Sequence, residues 1–400
     1  MSTALWWQRE DLHYEENELH FAGVKVARLA QQFSNPAFVY SGKRLADNLL
    51  RIKKALDTNG FKDNNRIYYA MKANRFSPLL TYLKTTGLCG IDACSPAEVL
   101  HALGCGFRPE QISLTACSLS EQDFSTLASI DGLVVNFDSL HAIRRWGELK
   151  PGSEIGIRIN PAMGTSRADN EKLQYAGDSI TKFGIYAEQF SEALALAEKS
   201  QLNVVRVHFH TGCGYLNEQL DQWKKVLQQS LWFIEQIPTV KSVNIGGGLG
   251  VPHTANDQHL NLDLWAQTLA SVMGNKPWRI DLEPGDYIAK DAGLFLMEKT
   301  FQEVKKDRCF VGVNAGFNLV PEPAYYALPF QPVSLIHKTE TRLVTLVGNI
   351  NEALDVWYEN IELPVLEDQT HIALINAGAY SSSMASNHCM RGNVSEYLIL

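Results

Sequence analysis

Apolar residues along this chain fall into two alternating rhythms. From about residue 36, short apolar runs rich in β-branched residues recur, and eight of them precede residue 290: RIYYAM (66–71), GIDAC (90–94), ISLT (112–115), GLVVN (132–136), EIGIRIN (154–160), VVRVHFH (204–210), SVNIG (242–246) and RIDLE (279–283). Between them lie stretches such as 45–56, 96–104, 187–200 and 219–237, whose apolar residues recur every three or four positions, the spacing that gives a helix one apolar face. Strands separated by helices pair in parallel, and eight such units predict a closed (β/α)8 barrel of the TIM type. After residue 300 the pattern changes to FVGV, SLIH, RLVTLVG and HIALINAG with Pro and Gly between them, which reads as a β domain. LHYEENELHFAGVKV near the N-terminus has the same strand-and-turn character. The expected division is therefore a barrel over residues 36–295 and a β-sandwich or β-barrel domain made of residues 1–35 with 296–400.

Composition narrows the function. At 400 residues two domains are the natural expectation, and 45% hydrophobic with 20% charged residues is an ordinary globular balance. A net charge of −8 without basic runs excludes the footprint of a nucleic-acid binder. No stretch approaches 18 apolar residues, and the first segment turns acidic after Trp7, so neither a membrane span nor a signal peptide is expected and the protein should be cytoplasmic. Seven scattered cysteines without a CxxC pair predict reduced thiols and no metal centre.

In such barrels the chemistry sits at the carboxyl ends of the strands. The first run leads into Lys72, where burial should depress the amine pKa and favour a nucleophile; taken singly, such a lysine more often snorkels to solvent. The sixth ends HFHTGCGY, with His208 and His210 two apart and so on one strand face. No further ligand falls at metal spacing, so a flat ring against a cofactor is the better functional reading and a core histidine the plain one. The seventh ends in Gly246, Gly247 and Gly248, whose backbone N–H groups can approach an anion. The eighth ends at Glu283, a carboxylate that needs a cation or several hydrogen bonds if buried. A lysine for an aldehyde, a planar ring, an anion cradle and an acid for a ring nitrogen are together the requirements of pyridoxal-5′-phosphate.

With these residues in place, the chain resembles the fold-type III pyridoxal-phosphate decarboxylases, the group acting on diaminopimelate, ornithine and arginine. PAFVYSGKRLADNL, YYAMKAN, GIDACSPAEV, RINPA, TKFGI, HFHTGCG, GGGLG, EPG and NAGAYSSSMASN follow in that family's order over nearly the whole chain. The resemblance implies an alanine-racemase-like barrel plus β domain and a decarboxylase. It makes Lys72 the cofactor lysine, and His210, rather than His208, the ring that stacks on the cofactor. Gly246, Gly247, Gly248 and Tyr380 would hold the phosphate, helped by Cys213 where the family has serine, and Glu283 would pair with the ring nitrogen. Asp92 and Arg158 are supporting residues. An acid at that nitrogen suits decarboxylation; alanine racemases place an arginine there. The resemblance further implies a homodimer with shared sites, each borrowing the loop NINEALD (349–355).

The departures bear on substrate and proton transfer. Diaminopimelate decarboxylases carry CES in the borrowed loop, whereas this chain has Asn351, Glu352 and Ala353. The proton donor then falls to Glu352, Tyr326, Lys72 or water. Two arginine positions read as Asp286 and Glu322; unless Arg75 or Arg391 compensates, like charges disfavour a distal carboxylate. Asp286, Glu322, Tyr326, Asn351 and Glu352 are thus the expected substrate contacts, with a basic, hydroxylated or large neutral distal group preferred to free diaminopimelate. A racemase and a catalytically silent homologue are the alternatives.

Overall fold

The computed structural model describes residues 5–33, 36–167, 170–177, 179–364 and 370–400. Eight parallel strands close a barrel: Asn65–Ala70, Gly90–Ala93, Ile112–Thr115, Val134–Phe137, Glu154–Arg158, Asn203–His208, Ser242–Asn244 and Arg279–Leu282. The eighth pairs with the first through Ile280 and Asn65, which seals the ring. Each strand lies within two residues of its expected span. Their interior residues are buried because both faces are covered, by barrel filling inside and by helices outside.

The helices follow the expected periodicity, with Gly42–Leu56, Pro96–Gly104, Ala187–Lys199 and Leu220–Ile234 on four of the predicted stretches. Several begin on a serine whose hydroxyl accepts a backbone N–H, as at Ser41, Ser95, Ser120 and Ser139. Trp223 of Leu220–Ile234 stacks on Trp265 of the next helix, Leu262–Met273, at 5.6 Å. This large apolar contact fixes that flank of the barrel beside the glycine turn.

A second sheet is built around the long strand Gly293–Lys305, which pairs with His371–Ile375, Arg308–Val313 and Ala37–Ser41. Ala37–Ser41 also pairs with Ser395–Ile399. The strand before residue 42 thus belongs to this sheet, and the chain enters the barrel with the helix Gly42–Leu56. The three N-terminal strands, Leu12–Glu15, Glu18–Phe21 and Val24–Lys25, turn through Glu16 and Asn17 at positive φ. They dock on the C-terminal sheet through Leu19 N–H to the Leu335 carbonyl (2.9 Å) and Tyr14 hydroxyl to the Ser334 carbonyl (2.7 Å). The sheet returns the chain to the barrel mouth at Tyr380, whose N–H donates to the Ala73 carbonyl, 2.8 Å away.

Candidate active site

A cavity of about 330 Å³ opens at the carboxyl ends of the strands. Of the residues expected there, Lys72, His210, Cys213, Gly247, Gly248, Glu283, Asp286, Glu322, Tyr326 and Tyr380 line it, with Asp92 and Arg158. Lys72 sits on the single turn Met71–Ala73 that follows the first strand. Its expected pKa direction is corrected by its neighbours. Burial lowers it, but its interaction with Cys94 above all, then with Tyr380 and Asp92, raises the amine well above its usual range. Burial thus does not depress this amine as expected.

Glu283 is the most heavily tied group. Its Oε2 lies 2.8 Å from His208 Nε2, and its Oε1 accepts from Asn244 Nδ2 (2.6 Å) and Ser113 Oγ (3.5 Å). Burial alone would raise its pKa, but His208, Lys72 and the Asn244 amide together bring it below the ordinary value. It stays ionised, with lone pairs left for a further donor. Asp92 behaves oppositely: burial, then the nearby Glu283, pushes it well up, and its Oδ1 has no hydrogen-bond partner.

His210 lies two residues beyond its strand. Its Nδ1 accepts the Gly247 N–H at 3.3 Å, so Nε2 carries the hydrogen and points to Cys213 Sγ, 3.4 Å away. Tyr175 packs on it with ring centroids 4.6 Å apart. Burial, then the charges of Lys72 and Arg158, hold the imidazole well below its usual pKa. The ring is neutral and fixed in orientation.

The glycines make two different contributions. Gly246 is consumed in the turn: its N–H donates to Asn244 Oδ1 (2.9 Å) and its carbonyl accepts the Glu283 N–H (2.8 Å). Gly247 and Gly248 reach the cavity, and a Cβ on either would lie 2.3 Å from a backbone oxygen, that of Glu283 or Gly212. Gly248 also holds φ of +97°. Gly247→Ala is accordingly expected to cost about 1–3 kcal/mol of stability from forced backbone movement and to weaken cofactor retention. Thermal denaturation and cofactor loss on dialysis measure both.

The acidic pair is compensated, but not by either arginine named above. Arg75 donates to the Ser383 carbonyl and Arg391 is exposed; neither lines the cavity. Instead Lys290, fully buried, pairs with Glu322 and with Asp286 (3.1 Å). Asp286 and Lys290 are four apart at a helix end, the spacing that brings side chains together. That spacing was the available signal; the reach to Glu322 was not in it. Burial, and next to it the charge of Asp286, raise the Glu322 carboxyl to about 7 against the pull of Lys290. Asn351 and Glu352 are exposed and do not line this chain's cavity; Glu352 meets His388 at 3.3 Å. Cys117, bonded to Asp138 at 2.6 Å, and Phe183, with the Arg158 guanidinium 4.6 Å above its ring, line the cavity unanticipated.

An eight-stranded barrel with a lysine, a tied carboxylate and a glycine turn at one mouth, joined to a β-sheet domain, defines the fold-type III pyridoxal enzymes. Residues 43–290 match the model for the pyridoxal binding domain of pyridoxal-dependent decarboxylases, and the chain belongs to that family. It is 28% identical over 399 residues to the diaminopimelate decarboxylase of Methanothermobacter thermautotrophicus, covering 96% of this chain and 91% of that one. The Aquifex aeolicus diaminopimelate decarboxylase is also 28% identical, over 97% and 92%. Among solved structures, the diaminopimelate decarboxylase of Helicobacter pylori complexed with L-lysine superimposes with a TM-score of 0.85 at 26% identity, covering 94% of each chain. The protein is thus a pyridoxal-phosphate-dependent amino-acid decarboxylase, a carboxy-lyase. These relatives give no support to the racemase or silent-homologue alternatives, nor to the exclusion of free diaminopimelate.

The residues present fit pyridoxal-5′-phosphate. The turn at Gly247 and Gly248 leaves no room for a side chain, Glu283 is held ionised, and Lys72 lies in the same cavity wall.

Proposed function

We propose that this decarboxylase acts on an amino acid, or an amino-acid conjugate, whose distal end carries an amine or a neutral polar group rather than a second free carboxylate. The supporting observation is the wall formed by Asp286 and Glu322, two carboxylates that face the cavity with a single cation, Lys290, behind them. The wall carries one negative charge when both acids are ionised and none when Glu322 is protonated.

In this reading Lys72 would hold the cofactor through its aldehyde and Glu283 would hold the ring nitrogen, whose proton its charge favours. The neutral His210 would face the ring, and Gly247, Gly248, Cys213 and Tyr380 would hold the phosphate, with Gly246 shaping the turn. The bound cofactor supplies an electron sink for the carbanion left when CO2 departs. Asp92, near Lys72, is pushed up by burial and so favours its neutral form on that face.

Two measurements test the substrate reading. Release of CO2 from meso-diaminopimelate, lysine, ornithine and their conjugates should rank a distal-amine substrate above diaminopimelate; the reverse ranking overturns the proposal. Raising the pH from 6 to 8 ionises Glu322 and adds a negative charge to the wall. KM for a distal-amine substrate should then fall about 3- to 10-fold, a modest share of the Coulomb energy at close range. Glu322→Gln should leave KM flat across that interval.

The site is completed, in this proposal, by a second copy of the chain. The exposed loop bearing Asn351 and Glu352 meets His388 through Glu352 and carries exposed Leu354 and Val356 beside Pro323 and Ala324, with Tyr325 and Met390 exposed next to those contacts in the chain, apolar groups of the kind oligomers cover. Glu352 would act from there in its partner's cavity. Mixing inactive Lys72→Ala and Glu352→Ala dimers with subunit exchange should restore ~25% of wild-type activity, because half the dimers are then mixed and each has one intact site. No recovery after demonstrated exchange would place Glu352 outside a shared site. No helix among the described residues is long and apolar enough to cross a membrane, and we place the enzyme in the cytoplasm.

A further inference from the structure

A second cavity, of about 270 Å³, lies where residues 6–9, the helix Gly42–Leu56, residues 251, 252 and 259, Asp291 and Asn376 meet. It shares no lining residue with the catalytic cavity. Its lining is lopsided in charge: the guanidiniums of Arg9, Arg44 and Arg51 face one lining carboxylate, Asp291, while Asp11, outside the lining, pairs with Arg9 and with Arg44 at 3.6 Å.

Ion pairing accounts for two of the three arginines. Arg44 donates to Asp291 Oδ2 from Nε (3.1 Å) and Nη2 (2.5 Å), while Arg9 donates from Nε to Asp11 (2.7 Å) and from Nη2 to the Asp291 carbonyl (2.5 Å). The other Asp291 oxygen accepts from Asn48 at 2.7 Å. Arg51 is left with neutral partners: it donates to Asn48 Oδ1 and lies 5.6 Å from the centroid of the Tyr287 ring. It has no carboxylate at ion-pair distance among the described residues. Burial, and further the three guanidiniums, keep His259 below its usual pKa against the pull of Asp291. Three guanidiniums round a water-accessible hollow, two of them already steered by carboxylates, form a fork-rich anion receptor.

We propose that this cavity binds a small multivalent oxyanion, a phosphate or a polycarboxylate, gripped by Arg51 with Arg44 and Arg9 and walled by Trp6 and Trp7. Such a ligand ties the N-terminal segment to the first barrel helix and to the residues that follow the glycine turn. Asp291 directly follows Lys290 in the chain, so the anion binds one peptide away from the ion triad of the catalytic wall.

The test uses the holoenzyme, whose own phosphate cradle is filled, with inorganic phosphate and, separately, citrate titrated at an ionic strength held constant with chloride. Calorimetry and thermal denaturation should show saturable binding of at least one probe, with the melting temperature rising as site occupancy predicts. Arg51→Glu should weaken that binding at least tenfold and Arg51→Lys less, while decarboxylation without added anion stays unchanged in both. Binding of phosphate only or citrate only identifies the ligand class within the proposal. No saturable binding of either probe, or equal affinity in Arg51→Glu, overturns it.

Discussion

Replacing Lys72 by alanine is expected to lower kcat on the order of 10⁴-fold or more, the loss seen when a covalent catalytic group is removed, and to abolish the visible absorbance of lysine-bound cofactor. The side chain lies in a wall with Asp92, Cys94, His210 and Tyr380, none of which carries an amine to bond an aldehyde; Lys182 is the other lysine lining the cavity. The fold should survive the change. The short turn Met71–Ala73 is held by backbone contacts, including the Ala73 carbonyl to Tyr380. Asp92, already pushed up by burial and the neighbouring Glu283, can remain protonated when the ammonium is gone. Circular dichroism and gel filtration unchanged from wild type, with CO2 release lost, are the expected pair of results. Retained turnover would move the cofactor lysine elsewhere, first to Lys182, which lines the same cavity, since Lys290 is buried and committed to two carboxylates.

The barrel was legible because each strand is short, buried on both faces and bounded by an amphipathic helix; SVNIG and RIDLE announce themselves by that pattern alone. The second sheet was less so. The barrel was expected from residue 36, but the pairing of Ala37–Ser41 with Gly293–Lys305 and Ser395–Ile399 puts that strand in the second sheet. A periodicity of two states that a strand exists but carries no information about its partner, which lies hundreds of residues away.

The site shows the same division. Lys72, Glu283 and the glycines were visible because strand ends are where a barrel does chemistry. The partners that set their charge were not. His208 read as a core histidine beside the more telling His210, yet it holds Glu283 across 75 residues of sequence. Asp286 and Glu322 read as two uncompensated acids, and the structure supplies Lys290 between them. Electrostatic balance in a buried site is a sum over neighbours in space, so residue identities at strand ends give the groups without their protonation states.

Glu283→Gln is the change that tests that balance most directly. The amide keeps the size of the side chain and a carbonyl oxygen for Asn244 or His208, so the buried pocket stays filled. Glu283→Ala, by contrast, strips both of their acceptor and should cost about 3–5 kcal/mol of stability by breaking a buried pair. What glutamine removes is the negative charge, which burial opposes and His208, Lys72 and Asn244 together sustain. If Glu283 holds the cofactor's ring nitrogen as proposed, its proton then has no anion beside it and the electron sink weakens. The expected loss in kcat is on the order of 10²- to 10³-fold, or about 2.7–4 kcal/mol of barrier, the size of one preorganised electrostatic contact. KM should change far less, because in the proposed reading the substrate's distal end meets Asp286 and Glu322 instead. A Glu283→Gln enzyme that keeps wild-type kcat, with cofactor bound, would show that ring protonation does not depend on this carboxylate. An equal loss in Glu283→Asp would point to the position of the carboxylate as well as its charge, because the shorter side chain retreats from His208 while remaining ionised.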